Sequence, residues 1–190
     1  MALSVPLDAS PDEVREALRP LRNPVTVAVM SLGNAFAAGA IVRVAHSFLV
    51  DEVLFVGTEP HYPKASMGME KYERIRRLTD LSDLVAGLSG RPLFAVEREH
   101  ATRSLYDAAP FPEGVVFLFG SERFGLPPAA LERADAVVGI PMYGVNQSFP
   151  VAVAAGMVLG EWARRRYRPG VVLGGRDGPP PGRQGRVVGI

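Results

Sequence analysis

The chain has 190 residues, 47% of them apolar and 22% charged, and carries a formal net charge of +1. That size and balance predict one soluble globular domain with its own core. Disulfides, thiolate nucleophiles and cysteine-held metals are excluded because cysteine is absent.

The longest apolar runs fall short of the roughly 18 residues that a membrane span needs. The N-terminus lacks the basic, apolar and small-residue order of a signal peptide, and the absence of cysteine makes a reducing cytoplasm the expected setting. Lys64 and Lys71 are the only lysines, and every other cation is arginine. Arginine forks suit phosphate, but a GC-rich genome produces the same bias.

Asp8 to Glu13 form a helix start, and Val14, Leu18 and Leu21 give that helix an apolar face. A β-rich run at 25–30 leads into a helix of small residues at 36–48 and a second strand at 52–56. A loop and basic helix are predicted over 62–77, then an amphipathic helix at 81–88 and a strand at 92–96. A short helix at 101–108, a strand at 115–119, a helical turn at 127–133 and a strand at 136–140 follow. A long helix at 149–167 closes the core.

Short apolar strands alternating with helices predict an α/β fold, a mostly parallel sheet with helices on both faces. From Pro169 onward, Gly and Pro fill half of the last 22 positions, with Arg176, Arg183 and Arg186 between them. Such a composition cannot bury enough surface to order itself. The expected organisation is a helical N-terminal extension at 1–22, a main domain at 23–168 and a flexible Gly/Pro/Arg tail at 169–190.

Ligands of open α/β sheets sit beyond the carboxyl ends of the strands, and three strand ends carry unusual loops here. After the first strand, Arg43 stands in an otherwise apolar helix, where it must reach an edge, a carboxylate or an anionic ligand. After the fourth, Gly120 and Gly125 bracket Ser121 and Glu122. Glycine lets the backbone approach a ligand closely, although the loop lacks the Gly-Lys-Ser/Thr ending of a phosphate loop. After the fifth, Ile140-Pro-Met-Tyr-Gly precedes Asn146-Gln147-Ser148 at the mouth of the last helix. Ser148 suits the cap of a helix starting at Phe149, with Pro150 tolerated in its first turn. The apolar loop before it suits a thioether and an adenine face.

Taken together, the three loops resemble the SpoU-type, or TrmH, branch of the SPOUT RNA methyltransferases. The first motif is matched by Gly39-Ala40-Ile41-Val42-Arg43, and the second by Phe119-Gly120-Ser121-Glu122 with Gly125-Leu126. The third is matched by Ile140-Pro141-Met142, Gly144, Ser148 and Val151 to Ala154, and Ala65 to Tyr72 resembles an intermediate element. The resemblance runs from about Asn23 to Tyr167. It implies a SPOUT fold with a deep C-terminal trefoil knot, a homodimer, and S-adenosylmethionine held by the second and third motifs. Carried onto matching positions, cofactor contacts fall at Val96, Gly120, Ile140, Met142, Ser148 and Phe149. Arg43 matches the arginine that helps a ribose 2′-hydroxyl of tRNA or rRNA lose its proton, and Glu122 matches a supporting glutamate.

No metal is implied, and His46, His61 and His100 form no metal-ligand spacing. Ala37 and Pro150 stand where the family usually has asparagine. They leave open an alternative, a knotted RNA-binding protein that keeps the pocket without turnover. Lys64, Lys71, Arg74, Arg76 and Arg77 concentrate charge in one short segment, a candidate RNA contact through phosphates. Arg164 to Arg166 end the last helix, where cations complement the helix dipole.

Overall fold

The computed structural model describes residues 8–30, 33–57, 63–107, 110–121 and 124–166. Three side-chain caps start helices where the sequence supplies short polar acceptors. Ser10 and Glu13 form a reciprocal capping box ahead of α1 (Pro11–Leu18). The Asn34 side-chain oxygen accepts from the backbone N–H groups of Phe36 and Ala37 at 3.1 and 3.2 Å, opening α2 (Ala35–Ser47). Asp80 does the same for α3 (Leu81–Gly87).

Seven strands form one wholly parallel sheet: β1 (Asn23–Met30), β2 (Val50–Val56), β3 (Ile75–Leu78), β4 (Leu93–Val96), β5 (Arg103–Ser104), β6 (Val116–Phe119) and β7 (Ala136–Gly139). Their order is β3-β2-β1-β6-β4-β7-β5. Side chains alternate between the faces with the period of two that a strand imposes. Val25, Val27, Val29, Phe117 and Phe119 pack under α2 and the long helix α5 (Val151–Arg166). Ala28, Leu54, Val116 and Leu118 pack on the opposite face, with Leu84 of α3 and Ala130 of α4 (Pro128–Arg133). Ile41 of α2 is fully buried, and a side chain of that size contributes about 1.5–3 kcal/mol by leaving water. No helix of the described residues is long and apolar enough to cross a membrane.

Two predicted helices are absent among the described residues. The basic segment instead makes 3₁₀ turns at Pro63–Ser66 and Met69–Lys71 and then the edge strand β3. The reason lies on β2, where buried Glu52 needs a cation. Arg76 supplies it from the neighbouring strand, with Nε 2.5 Å from one carboxylate oxygen. Residues 101–108 were also expected to be helical, but Arg103 and Ser104 join the sheet beside β7. Thr102 and Leu105 donate their N–H groups to the Val137 and Gly139 carbonyls at 2.9 and 2.7 Å. The Ser104 and Asp107 side chains then take the local N–H groups of Tyr106 and Ser104 that a helix would have used.

The N-terminal extension is tied down by charge. The Glu73 carboxylate has no exposed surface, and it meets Arg22 and His46 at 2.7 Å each. Losing one partner of such a buried pair typically costs about 3–5 kcal/mol. At the other end, Arg164 and Arg165 both pair with Glu161 at 2.7 Å. The hydrogen bond from Arg164, with help from Arg165, holds the Glu161 carboxyl down at about 2 although burial acts to raise it. Arg165 also lies 4.3 Å from the Phe111 ring centre, and Arg166 lies 4.3 Å from that of Trp162. The arginines of the last turn therefore work within the fold. The stretches 1–7 and 169–190, the latter read from sequence as the tail, lie outside the described residues.

Candidate active site

The carboxyl ends of β4, β6 and β7 are neighbours in the sheet, so the loops that leave them meet. The loop after β6 folds back on itself. Ser121 and Gly125 exchange backbone hydrogen bonds at 3.1 and 3.0 Å, and the Ser121 hydroxyl accepts from the Phe124 N–H at 3.0 Å. Gly125 has φ +63°, a conformation that favours glycine. A Cβ on Gly120 would lie 2.4 Å from the Gly125 carbonyl carbon. Both glycines are therefore demanded by the tightness of this loop.

The loop between β7 and α5 forms the opposite wall. The helix begins at Val151, two residues later than expected, and the Pro150 carbonyl accepts from the Val153 and Ala154 N–H groups at 2.9 and 3.0 Å. A residue before proline is disfavoured in helical conformation, which keeps Phe149 outside. Ser148 thus does not cap the helix, contrary to the reading from sequence. Its hydroxyl makes no hydrogen bond among the described residues, while its carbonyl accepts from Asn146 Nδ2 at 3.2 Å.

Between these walls lies a cleft of about 430 Å³, within the usual range for small-molecule sites. Val96, Gly120, Ile140, Met142, Ser148 and Phe149, the six positions expected to touch the cofactor, all line it. So do Glu97, Arg98, Ser121 and Gln147, which were not assigned from sequence. Glu97 Oε1 accepts from the Arg98 N–H at 2.7 Å, and Arg98 Nη2 donates to Gln147 Oε1 at 3.5 Å. Their signal was position alone: Glu97 and Arg98 directly follow a strand end, and Gln147 stands beside Ser148. Apolar walls with a few convergent polar groups are what an adenosine and an amino-acid chain require.

The SpoU rRNA Methylase family matches residues 24–160. The chain belongs to this family. It is 32% identical over 166 residues to the tRNA (guanosine(18)-2'-O)-methyltransferase of Thermus thermophilus, covering 83% of this chain and 84% of that one. A tRNA/rRNA methyltransferase of Mycobacterium tuberculosis is 29% identical over 85% of this chain, which spans only 52% of that protein. Among solved structures, the TrmH/SpoU tRNA modifying enzyme of A. aeolicus shares the fold with a TM-score of 0.71 at 24% identity, over 82% of each chain.

Other expected positions of this SpoU family chain lie apart from the cleft. Arg43 is exposed on α2, makes no ion pair among the described residues and does not line the cleft. At about 1.5 Å per residue it stands roughly 12 Å along the helix from Ala35. The sequence predicted a constrained arginine in an apolar helix, but Arg43 occupies the helix's solvent face. Glu122 lies outside the described residues. Asn34 serves as the α2 cap, and Ala37 is buried against the core.

The basic segment borders β3, at the sheet edge opposite the β7-β5 side. Lys64 and Lys71 are exposed, Arg74 pairs with Asp51 at 2.7 Å, Arg76 pairs with Glu52, and Arg77 lies 5.5 Å from the Phe55 ring centre. Much of its charge is therefore already engaged.

Proposed function

We propose that this protein is an S-adenosylmethionine-dependent methyltransferase acting on a ribose 2′-hydroxyl of tRNA or rRNA. The observation that carries the reading is the meeting of the loops after β4, β6 and β7 around one cleft of ligand size. Gly120 and Ile140 would let the cofactor approach the backbone, Met142 and Phe149 would cover its apolar parts, and Ser148, Gln147 and Glu97 would take its polar groups. When bound, S-adenosylmethionine supplies a methyl group activated by a sulfonium. Arg43 would stabilise the negative charge that develops as the ribose hydroxyl loses its proton. A guanidinium stays protonated and cannot itself accept that proton, so its contribution is electrostatic. Glu122 is proposed to support the same site.

A homodimer is part of the same proposal, because Arg43 is exposed and away from its own chain's cleft and could serve that of a partner. Phe36 of α2 and Val153 of α5 are 63% and 47% exposed, and such side chains suit an interface between copies. The proposed domain is 23–168, with the trefoil knot among its last strands. Insertion of β6 between β1 and β4, and of β7 between β4 and β5, supports a threaded chain. Lys64, Lys71, Arg74, Arg76 and Arg77 remain proposed phosphate contacts, and the setting is the cytoplasm.

Calorimetric titration with S-adenosylmethionine should give saturable heat at a stoichiometry of one per chain. A folded sample showing no heat at high micromolar cofactor would overturn the assignment. Sedimentation equilibrium at micromolar concentration should show a dimer, and monomer alone would remove the shared-site reading. Because Ser148 caps nothing, Ser148→Ala should leave the urea midpoint nearly unchanged. It should weaken cofactor binding by the roughly 0.5–1.5 kcal/mol of one hydrogen bond. The reverse pattern, lost stability with unchanged affinity, would take Ser148 out of the cleft's chemistry.

A further inference from the structure

A second concavity, of about 580 Å³, adjoins the first and shares Arg98, Ile140 and Met142 with it. Thr102, Arg103, Ser104, Asp107 and Asn146 complete its polar lining. Arg103 makes no ion pair among the described residues, and its guanidinium lies 5.3 Å from the centre of the buried Phe94 ring. The Asp107 carboxylate is engaged by its own turn, accepting from the Ser104 N–H at 2.7 Å. Tyr143 stands between two lining residues, Met142 and Gly144, with 98% of its surface exposed.

This inference rests on the methyltransferase reading. A ribose that presents its hydroxyl to the first cleft carries a base and phosphates, which must lie immediately beside it. The adjoining concavity offers cations, hydroxyls and an amide there, with an aromatic ring whose faces are uncovered. Unpaired bases are recognised by stacking on such rings, with arginines at the backbone. A second copy of the chain is a poorer occupant, because the cores of interfaces between copies are depleted in charged groups.

We propose that the second concavity seats an unpaired nucleotide of the RNA substrate, with Arg103 and Arg98 at its phosphate and Tyr143 stacked on its base. The test is anisotropy of a labelled single-stranded RNA heptamer with the full chain, Tyr143→Ala, Arg103→Ala and Arg103→Lys. Calorimetry with S-adenosylmethionine and sedimentation accompany each variant. Tyr143→Ala should weaken heptamer binding about five- to hundred-fold, the range that stacking of a base on an aromatic side chain confers. Arg103→Ala should also weaken it, and Arg103→Lys should keep most of the affinity. All three should bind S-adenosylmethionine as the parent does. Parent-like heptamer binding by Tyr143→Ala and Arg103→Ala, with cofactor binding intact, would overturn the nucleotide site and leave the methyltransferase reading standing. A Tyr143→Ala chain that becomes monomeric would give the ring to a second copy and overturn it too. Loss of cofactor binding in the parent would remove the reading beneath it.

Discussion

Arg43→Ala should lower methyl transfer by about 10²–10³ while leaving the chain folded and its cofactor affinity unchanged. Removing one preorganised donor from a developing oxyanion typically costs that much. The stability change should stay within about 0.5 kcal/mol, because the side chain is exposed and makes no ion pair among the described residues. Single-turnover transfer of labelled methyl to unmodified tRNA and rRNA measures the rate, and calorimetry measures the affinity. Because Arg43 does not line its own chain's cleft, mixed dimers offer a second readout. Pairing an Arg43→Ala protomer with one whose cleft is disabled should restore part of the activity, since one intact combination of arginine and cleft remains. Near-normal turnover in the single variant would remove Arg43 from the mechanism, and failure of the mixed dimer would confine the site to one chain.

Gly120→Ala should abolish cofactor binding and destabilise the protein by at least about 3 kcal/mol. Overpacking a filled site usually costs about 1–3 kcal/mol, and here no rotamer offers relief. The added Cβ would meet three backbone atoms, the Gly125 carbon at 2.4 Å and the Gly125 oxygen and Leu126 nitrogen at 2.7 Å each. Relief would require opening the Ser121–Gly125 bridge, which shapes the wall of the cleft. Gly87→Ala is the matched control, because a Cβ there meets nothing within 4 Å. At the end of α3 it should be neutral, or stabilising by up to about 1 kcal/mol. Urea unfolding of the two variants, with a cofactor titration of each, checks the contrast. A Gly120→Ala chain as stable as the Gly87→Ala control, with normal affinity, would show that the loop relaxes freely.

The sequence by itself determined the α/β class and the core strands, and its motifs named six of the residues that line the cleft. Runs such as 27–30 and 115–119 are apolar at every position because both faces of their strands are covered, and that pattern is legible without coordinates. The glycines at 120 and 125 and the apolar loop at 140–142 were readable because a ligand loop leaves a strand end with residues that few other tasks require. What the sequence misplaced were segments whose conformation is decided by a distant partner. Residues 75–78 are a strand because β2 presents a buried glutamate and an open edge to them, and 103–104 are a strand because β7 does the same with its backbone groups. Helical periodicity reports a segment's own faces, so it could not see either demand. Arg43 is the same lesson at one residue: its spacing was visible, but which side of α2 faces solvent was set by packing against the sheet and α5. Only the tertiary structure brought Arg98, Arg103 and Tyr143 to one rim, because Arg98 follows β4, Arg103 begins β5 and Tyr143 follows β7, the strand that lies between the other two in the sheet.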